Sequence, residues 1–496
     1  MKKQVKKAQH LRPRVKGDMI MIPKFDVLTQ EQLLKIHEES IKILEEVGVE
    51  FTYDPAVKVF GEQGLKTDGH RVYFTRDFIE KMMKLAPAEF KLNARNPEKT
   101  VNCNHTDLIL TPSYGPPFVY EADGSRRYTT MADYDNIVKL AGASENIDHT
   151  GGNVCEPTDV PDEIKHLKML ESHVRNSDKA FMGSAYGEVG ASDSVKIAEL
   201  IFGGSDIIKK NPVLITLINS ITPLKFDDRM LAALMTYAKA GQACLVSSLV
   251  MSGSTGPATM VETMALQNAE ILAGISLAQA VNPGTPCIYG STSGPVDMKT
   301  LSLSIGTAET ALYTAASAQL ARYYGVPSRG GGGLNDTKCV DAQAGYESML
   351  TLLAAASSGI NYVLHAAGIM HYYNAFSYEK FVLDDEIAGL VRKFIKGFNF
   401  DDKFFVFDDV KEVGPGGHFL YQNSTFELFR EELRTPLLSD RQGYEAWEEQ
   451  GKKDTAQRAK EMWQKTLAEY EAPALDSALD KELTSFINAR TKELMK

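Results

Sequence analysis

The chain has 496 residues, of which 43% are hydrophobic and 24% are charged, ordinary values for a globular protein with a large core. Its formal net charge of −11 disfavours nucleic acid as a partner, because an acidic surface repels phosphate groups.

Basic residues near the start depart from this acidic balance. They are Lys2, Lys3, Lys6, Lys7, Arg12, Arg14 and Lys16. We expect either a solvated tail, as is usual for a terminus, or an arm that holds a neighbouring subunit or an acidic partner. No apolar run follows them, so they do not predict a secretory signal.

The cysteines and the apolar segments bear on the cellular compartment. No stretch approaches the roughly 20 apolar residues that a membrane span requires, and the apolar stretch 264–281 contains enough polar residues to predict a buried helix instead. The cysteines are odd in number and lack a C-x-x-C pair, which predicts neither a disulfide framework nor a structural zinc site and favours a reducing, cytoplasmic compartment. They are Cys103, Cys155, Cys244, Cys287 and Cys339.

Residues 1–104 are predicted to form an N-terminal extension of helices with a short βα piece. Thr29 followed by Gln32 is typical of a capping box, and apolar residues then recur near helical spacing as far as Val47. Gly48 predicts the end of this helix. A second helix is predicted near Arg76–Leu85.

Residues 105–375 alternate short β-rich segments with longer helical ones. Strands are predicted at 108–111, 148–154, 180–185, 213–219, 244–250, 286–291, 326–330 and 361–365. The clearest helices are predicted at 161–174, 193–201, 227–240, 259–280, 306–324 and 340–357. Eight strands alternating with helices indicate an α/β fold with a parallel sheet that closes into a (β/α)8 TIM barrel. An open doubly wound sheet is the alternative, but its typical G-x-G-x-x-G turn is absent.

Residues 376–496 are predicted to form a C-terminal helical extension. Two amphipathic helices are expected at 443–470 and 475–494. They could cover the barrel or form the contact of a homo-oligomer.

The active site of a TIM barrel lies at the C-terminal ends of its strands. That rule selects the substrate-binding candidates Tyr114, Tyr186, Asn219, Ser247, Tyr289, Arg329, His365, His371 and Tyr372. The chain has no G-x-S-x-G elbow, no H-E-x-x-H pair and no P-loop, and no cluster with metal-ligand spacing. Hydrolysis and a bound catalytic metal are therefore not indicated.

The tyrosines and the polar candidates have complementary roles in this prediction. Aromatic faces attract a quaternary ammonium, so Tyr114, Tyr186, Tyr289 and Tyr372 are candidates for an aromatic box, although each could instead be a packing residue. The candidates for binding a substrate carboxylate are His365, Arg329, Asn219 and Ser247. The histidines could equally be packed in the core.

Four stretches of sequence carry a resemblance to a known family. They are 32–49 (QLLKIHEESIKILEEVGV), 335–347 (NDTKCVDAQAGYE), 414–420 (GPGGHFL) and 439–447 (SDRQGYEAW). Their order and spacing resemble the trimethylamine methyltransferase family, in its branch that lacks pyrrolysine, over nearly the whole length. The resemblance implies a barrel enzyme that moves a methyl group from an amine to Co(I) of a corrinoid on a small partner protein.

The resemblance also bears on cofactor and substrate. Carriers of this type hold cobalt through a D-x-H-x-x-G histidine, and this sequence has no such pattern, so the corrinoid is expected to arrive with the partner and the chain to hold no cofactor of its own. The founding members carry pyrrolysine near the end of strand seven, whereas every residue here is standard. This implies a quaternary amine such as glycine betaine (giving dimethylglycine), proline betaine or carnitine. The resemblance assigns no catalytic residue.

The glycine-rich segment after strand seven is the predicted docking site of the corrinoid protein. Bare backbone there could let a bulky partner approach closely, while the alternative is a flexible surface loop. The candidates are Gly330, Gly331, Gly332, Gly333, Asn335 and Asp336.

Three other functions stay open. A binding protein could sense quaternary amines without turnover, using the same aromatic barrel mouth. A barrel lyase or aldolase would need a Schiff-base lysine or a metal at a strand end, and Lys338 is the nearest lysine, although it is expected to be solvated. A structural subunit could use the helical extensions for assembly.

Overall fold

A computed structural model describes residues 24–496 of the chain, so the basic residues before Asp18 and the predicted arm lie outside the described residues. The first described region combines helices with short strands: α1 (Gln30–Lys42), a π-helical turn (Ile43–Val47), β1 (Val49–Phe51), α2 (Asp54–Glu62), β2 (Lys66–Asp68), β3 (Arg71–Tyr73), α3 (Arg76–Leu85), β4 (Phe90–Leu92), a 3-10 turn (Pro97–Lys99) and β5 (Val101–Cys103).

The start and end of the first helix are as predicted. The Thr29 hydroxyl accepts a hydrogen bond from the Gln32 N–H at 3.3 Å, and the Gln32 side chain accepts one from the Thr29 N–H at 2.8 Å. This confirms the capping box, which satisfies two backbone donors that the first turn leaves open. Gly48 follows the π-helical turn with a φ of 73°, a conformation that ends a helix and that glycine adopts without strain.

The central region supplies the barrel. Its elements are β6 (Ile109–Pro112), β7 (Phe118–Tyr120), β8 (Arg126–Tyr128), α4 (Met131–Ala143), α5 (Asp162–Asn176), β9 (Phe181–Met182), α6 (Gly187–Phe202), α7 (Ser205–Ile208), β10 (Leu214–Asn219), β11 (Lys225–Phe226), α8 (Asp228–Lys239), β12 (Ala243–Ser248), β13 (Met251–Ser252), α9 (Met260–Val281), β14 (Cys287–Ser291), β15 (Gly294–Asp297), β16 (Ser302–Leu303), α10 (Ala308–Tyr324), β17 (Ser328–Gly331), α11 (Ala342–Ser358), β18 (Tyr362–Ala367), β19 (Ile369–Met370) and β20 (Ala375–Phe376).

The main sheet confirms the predicted α/β barrel fold. Within residues 24–496 it holds seven parallel strands in the order β6-β18-β17-β14-β12-β10-β9, with helices between successive strands. The predicted strand at 148–154 is reduced to a short connecting segment. The Asp148 N–H donates to the Leu110 carbonyl at 2.9 Å, and the Met182 N–H donates to the Gly151 carbonyl at 2.8 Å. This segment therefore links β9 back to β6 and closes the curled sheet.

Glycine explains why the eighth strand is so short. Gly151 has a φ of 84°, outside the extended range, so the segment leaves the sheet after one β-bridge between His149 and Ala180. The β4–β5 hairpin covers the end of the barrel at which the strands begin. Its residues Leu92, Val101 and Cys103 pack against the inward residues of the sheet.

The apolar stretch in the middle of the sequence is a buried helix, as predicted. α9 is buried along almost its whole length. Its polar residues are hydrogen-bonded inside the protein: Gln267 donates to the Ser317 hydroxyl at 3.0 Å, and Asn268 to the Ser40 hydroxyl at 2.8 Å. No helix among the described residues has the combined length and apolarity to cross a membrane. The five cysteines are free, and only Cys339 is exposed.

The last region is helical, with α12 (Tyr378–Lys396), a 3-10 turn (Asp402–Phe404), α13 (Phe407–Val413), α14 (Asn423–Glu432), α15 (Tyr444–Glu449), α16 (Thr455–Glu469) and α17 (Ser477–Leu494). The helix predicted at 443–470 is wrong as a single element. Gly451 and Lys452 adopt positive φ values of 89° and 53° and separate α15 from α16. The division of the chain at residues 104 and 375 stays a prediction.

Candidate active site

One row of inward-facing residues crosses the barrel from Asn219, the last residue of β10, to Tyr362, the first residue of β18. The strand register pairs Asn219 with Ser247, Ser247 with Gly290, Gly290 with Arg329, and Arg329 with Tyr362. Side chains that are paired across a parallel sheet point to the same face, and Tyr362 lies in the inner core. The predicted candidates Asn219, Ser247 and Arg329 therefore share the barrel interior.

Arg329 is the most unusual member of this row, because it is 1% exposed and forms no ion pair with any carboxylate of residues 24–496. One Nη donates to the Ser247 hydroxyl at 3.1 Å and to the Ser291 carbonyl at 3.3 Å. Its Nε has no hydrogen-bond partner. Burial lowers the pKa of Arg329 to about 10, so the guanidinium stays charged at neutral pH.

A glycine leaves room for the inward side chains next to Arg329. Gly290 lies between Arg329 and Ser247 in the row, and a Cβ there would come within 2.7 Å of the Leu245 side chain and 2.9 Å of the Ser247 Cβ. Any side chain at this position would have to displace the side chains of Leu245 and Ser247, and the Ser247 hydroxyl is a hydrogen-bond partner of Arg329.

His365 lies next to this row in a strained conformation. Its φ is 65°, which non-glycine residues seldom adopt. The Tyr114 N–H donates to His365 Nδ1 at 3.2 Å, which assigns the proton of the neutral ring to Nε2. Burial, and then the charge of Arg329, hold the pKa of His365 well below its usual value. The ring is therefore a neutral hydrogen-bond donor beside the guanidinium.

A tight turn after β19 packs the ring of Tyr373, which was not among the predicted site residues, against His365. His371, Tyr372 and Tyr373 have consecutive positive φ values of 50°, 42° and 74°. The rings of Tyr373 and His365 are 4.6 Å apart, and the buried Tyr373 hydroxyl has no hydrogen-bond partner. Backbone strain of this kind clusters at functional sites.

The other two residues of this turn contact their own chain. His371 Nδ1 shares a hydrogen bond with the Tyr120 hydroxyl, and the Lys338 ammonium lies 5.7 Å from the Tyr372 ring centroid. Lys338 itself is exposed, and its ammonium donates to the Asp336 carbonyl at 2.9 Å.

A cavity of about 140 Å³ lies at the ends of β9 and of the 148–151 segment. Tyr114, Tyr134 and Tyr186 contribute to its wall. The Tyr186 hydroxyl donates to Glu156 at 2.6 Å, and Lys165 pairs with the same carboxylate at 2.8 Å. The structure thus brings the predicted Tyr114 and Tyr186 together around one small space.

Tyr114 lies between the cavity and Arg329. It lines the cavity, and its backbone N–H contacts His365. Burial, and then the charge of Glu156, raise the pKa of its hydroxyl to about 12 against the opposing charges of Arg329 and Arg229. Lys165 balances the charge of Glu156, and Arg229 also lines the cavity. The unbalanced charge beside Tyr114 is therefore that of Arg329.

One predicted ligand is contradicted by the structure. Tyr289 faces away from the barrel interior, because it precedes the inward Gly290 and side chains alternate along a strand. Its hydroxyl donates to the Asn268 amide oxygen at 2.9 Å, and its ring stacks on Tyr324 of α10. Tyr289 therefore packs between sheet and helices.

The structure also contradicts both predictions for the glycines after strand seven, namely a docking site of the corrinoid protein and a flexible surface loop. Gly330, Gly331, Gly332 and Gly333 are all buried. A Cβ at Gly330 would come within 2.8 Å of Thr314 of α10, and one at Gly332 within 2.6 Å of Val363. Close packing of strand, helices and backbone therefore requires these glycines.

The two polar candidates that follow the glycines have internal partners as well. Asn335 is fully buried, and its amide donates to the Ile369 carbonyl at 2.7 Å. Asp336 accepts hydrogen bonds from the backbone N–H groups of Ile305 and Gly306 at 2.9 and 3.2 Å. Both residues hold neighbouring loops in place.

The sequence reasoning missed Gly290, Tyr373 and Glu156. The alternation of side chains along a strand could have identified Gly290, because the residue after the outward-facing Tyr289 must face inward. Tyr373 and Glu156 lie in loops, and no local pattern marked them. Among residues 24–496, no group of three or more His, Cys, Asp or Glu side chains is arranged to hold a metal ion.

Comparisons with known proteins extend over the same length. The profile of the family described as trimethylamine methyltransferase (MTTB) matches residues 1–495. A glycine betaine methyltransferase of Desulfitobacterium hafniense (strain Y51) is 58% identical over 96% of this chain and 99% of its own length. A proline betaine:corrinoid methyltransferase of Eubacterium limosum is 31% identical over 89% of this chain and 92% of its own.

One solved structure resembles the fold. The Methanosarcina barkeri monomethylamine methyltransferase superposes with a TM-score of 0.51 at 10% sequence identity, covering 95% of this chain and 88% of that one. At this identity the likeness concerns the fold alone.

Proposed function

This chain belongs to the trimethylamine methyltransferase family, and from that premise we propose that it moves a methyl group from glycine betaine to Co(I) of a corrinoid on a separate protein. Relatives named for glycine betaine and for proline betaine support a quaternary amine as the substrate. The high identity to the first of these relatives favours glycine betaine over proline betaine.

The observation that carries this proposal is the buried guanidinium of Arg329, which has no carboxylate partner among the described residues. A buried charge without a partner costs several kcal/mol by order of magnitude, so a ligand that supplies the opposite charge gains affinity. The carboxylate of a betaine meets this requirement, and trimethylamine has none. His365 Nε2–H and the Tyr373 hydroxyl are further donors beside it.

The ammonium end of the substrate fits the other side of Tyr114. A quaternary ammonium donates no hydrogen bonds and is attracted to aromatic faces, each contact contributing about 0.5–2 kcal/mol. Tyr114 and Tyr186 supply such faces. A betaine whose carboxylate pairs with Arg329 would place its ammonium beside the Tyr114 ring.

The residues of this site orient the substrate rather than transfer protons. The nitrogen of a betaine is already quaternary, so dimethylglycine leaves as a neutral tertiary amine and needs no general acid. The corrinoid supplies the nucleophile. Arg329 and the tyrosines hold the N–methyl bond in one direction, and positioning of this kind can lower a barrier by roughly 7–11 kcal/mol.

The relative named as a proline betaine:corrinoid methyltransferase supports a corrinoid as the methyl acceptor. The sequence has no D-x-H-x-x-G pattern of a cobalt-binding carrier, so the proposal places the corrinoid on a partner protein.

The test uses purified protein with a reduced corrinoid carrier and, separately, glycine betaine, proline betaine, carnitine or trimethylamine. We expect the absorbance change of corrinoid methylation with glycine betaine and none with trimethylamine. Methylation by trimethylamine would contradict the substrate assignment. Thermal stabilisation by glycine betaine without any methylation would favour a sensor and contradict the enzyme.

A further inference from the structure

The wall of the cavity at the end of β9 contains an arginine that the proposed function does not use. Arg229 lies in the first turn of α8 and is exposed. Among the described residues that line the cavity it is the only lysine or arginine, and none of them is an aspartate or glutamate. A ligand that enters this cavity therefore meets one fixed positive charge.

The side chain of Arg229 has no acidic partner within residues 24–496, where it forms no ion pair and donates no hydrogen bond. The carboxylate of Asp227, two residues before it, caps α8 by accepting from the Met230 N–H at 2.7 Å. The aliphatic stem passes close to Gly187, where a Cβ would lie 3.6 Å from the Arg229 Cγ. Solvent rather than a carboxylate balances the charge of this guanidinium.

The helical position of Arg229 does not explain the charge either. The N-terminal end of a helix carries a partial positive charge, which favours acidic residues and disfavours a cation in the first turn. Asp227 and Asp228 are of the favoured type, whereas Arg229 is not. Neither an ion pair nor the stability of α8 therefore accounts for an arginine at this position.

The charge of Arg229 acts on the aromatic part of the cavity wall. Burial, and then the charge of Glu156, raise the pKa of the Tyr114 and Tyr186 hydroxyls, and the charge of Arg229 opposes that rise at both. These two rings are the ones proposed to receive the substrate ammonium. A cation beside them is therefore attracted by the rings and repelled by Arg229.

We propose that Arg229 is a specificity-determining residue, which disfavours ligands of net positive charge and thereby selects zwitterionic quaternary amines. In a betaine, attraction of the carboxylate offsets repulsion of the ammonium. Choline, tetramethylammonium and protonated trimethylamine carry only the repelled charge. The inference rests on the proposed function, because it takes this cavity as the place where the quaternary amine binds.

Repulsion is needed here because the other features of the site do not exclude cations. Aromatic faces attract any quaternary ammonium, with or without a carboxylate, and the net charge of −11 attracts cations to the protein as a whole. Arg329 rewards a carboxylate in the interior, and Arg229 penalises its absence at the exposed side of the cavity. Specific sites commonly combine an attractive element for the substrate with a repulsive one for its competitors.

The test compares the binding of glycine betaine and choline, which share the trimethylammonium group but differ in net charge. In Arg229→Gln the affinity for choline relative to glycine betaine should rise about threefold to tenfold, as expected for one unit charge across a partly solvated space. Arg229→Lys keeps the charge and should keep the wild-type ratio. The matched control is Lys239→Gln, which removes an exposed charge about 15 Å further along α8 and should not change the ratio.

Salt and thermal unfolding separate this role from a structural one. The difference in choline affinity between the wild type and Arg229→Gln should shrink from about 0.02 to about 0.5 M salt, because salt screens an exposed charge. The melting temperature of Arg229→Gln should not fall, because the side chain has no partner to lose and its charge opposes the helix dipole.

The outcomes distinguish this inference from the proposed function. An unchanged affinity ratio in Arg229→Gln, or an Arg229→Lys variant that behaves like Arg229→Gln, would overturn the role of Arg229. The expected ratios without any methylation of a reduced corrinoid would support that role and count against the proposed enzyme. Failure of the wild type to bind glycine betaine would contradict both.

Discussion

Replacement of Arg329 by methionine tests the proposed carboxylate site. The change removes the buried charge and keeps an apolar side chain of similar length in the barrel. Loss of one partner of a buried, hydrogen-bonded charge pair costs about 2–5 kcal/mol. This corresponds to a rise of about 30-fold to 4,000-fold in the KM for glycine betaine. Tetramethylammonium has no carboxylate, so its binding should change less than about threefold.

The stability of the same variant should move in a different direction from its activity. In the free protein the Arg329 guanidinium has only the Ser247 hydroxyl and one carbonyl as partners. Removing it loses a hydrogen bond but also a buried charge without a counter-ion, so the free energy of unfolding should stay within about 1 kcal/mol of wild type or increase.

Arg322→Met is the matched control. Arg322 lies on α10, donates to the Ser358 carbonyl at 2.6 Å and pairs with Asp26. Its loss should lower stability and leave the KM unchanged. The assay combines calorimetric binding of glycine betaine and tetramethylammonium with urea unfolding of each variant. Equal losses of affinity for both ligands in Arg329→Met, or an unchanged affinity for glycine betaine, would refute the carboxylate site.

Three further predictions follow from buried contacts. Gly290→Ala should raise the KM for glycine betaine and destabilise the protein by about 1–3 kcal/mol through overpacking, whereas Gly345→Ala, whose new Cβ would meet nothing within 4 Å, should not. Lys380→Met should cost about 3–5 kcal/mol in urea unfolding, because it leaves Asp384 buried without its partner, and adding Asp384→Leu should recover most of that loss. Burial lowers the pKa of His173 from 6.5 to about 4, so the unfolded chain binds more protons between these values. His173 alone should therefore contribute a loss of stability of about 3 kcal/mol as the pH drops from 6.5 to 4, and His173→Gln should reduce the total loss by about that amount; an equal slope in both proteins would contradict this assignment.

The barrel could be predicted from the sequence because strand and helix patterns alternate regularly. Seven of the eight predicted strands are present in one parallel sheet. The eighth is short because Gly151 leaves the extended conformation, and its few hydrogen bonds to β6 and β9 depend on the closed sheet. Local propensity does not encode closure of this kind. The predicted helix at 443–470 failed for the opposite reason. Its break lies at Gly451, and a glycine inside a helical pattern is a local signal of such a break.

Prediction of the site was limited by side-chain direction and by turns. Position at a strand end selected Arg329 and Ser247 correctly for the interior, but it also selected Tyr289, which the alternation of strand residues turns outward. Tyr373 reaches His365 only through three consecutive left-handed residues, none of them glycine or asparagine. Sequence rules predict no such turn, because packing in the folded protein enforces it.

The two charged ends of the site differ in how far the protein itself balances them. Glu156 accepts a hydrogen bond from Tyr186 and pairs with Lys165, so its charge is neutralised within the chain. Arg329 has no such partner, although it is the more deeply buried of the two. The fold must offset the cost of that unpaired charge until a carboxylate binds. In the proposed reaction, discrimination against trimethylamine follows directly, because an amine without a carboxylate would leave the same guanidinium unpaired in the complex.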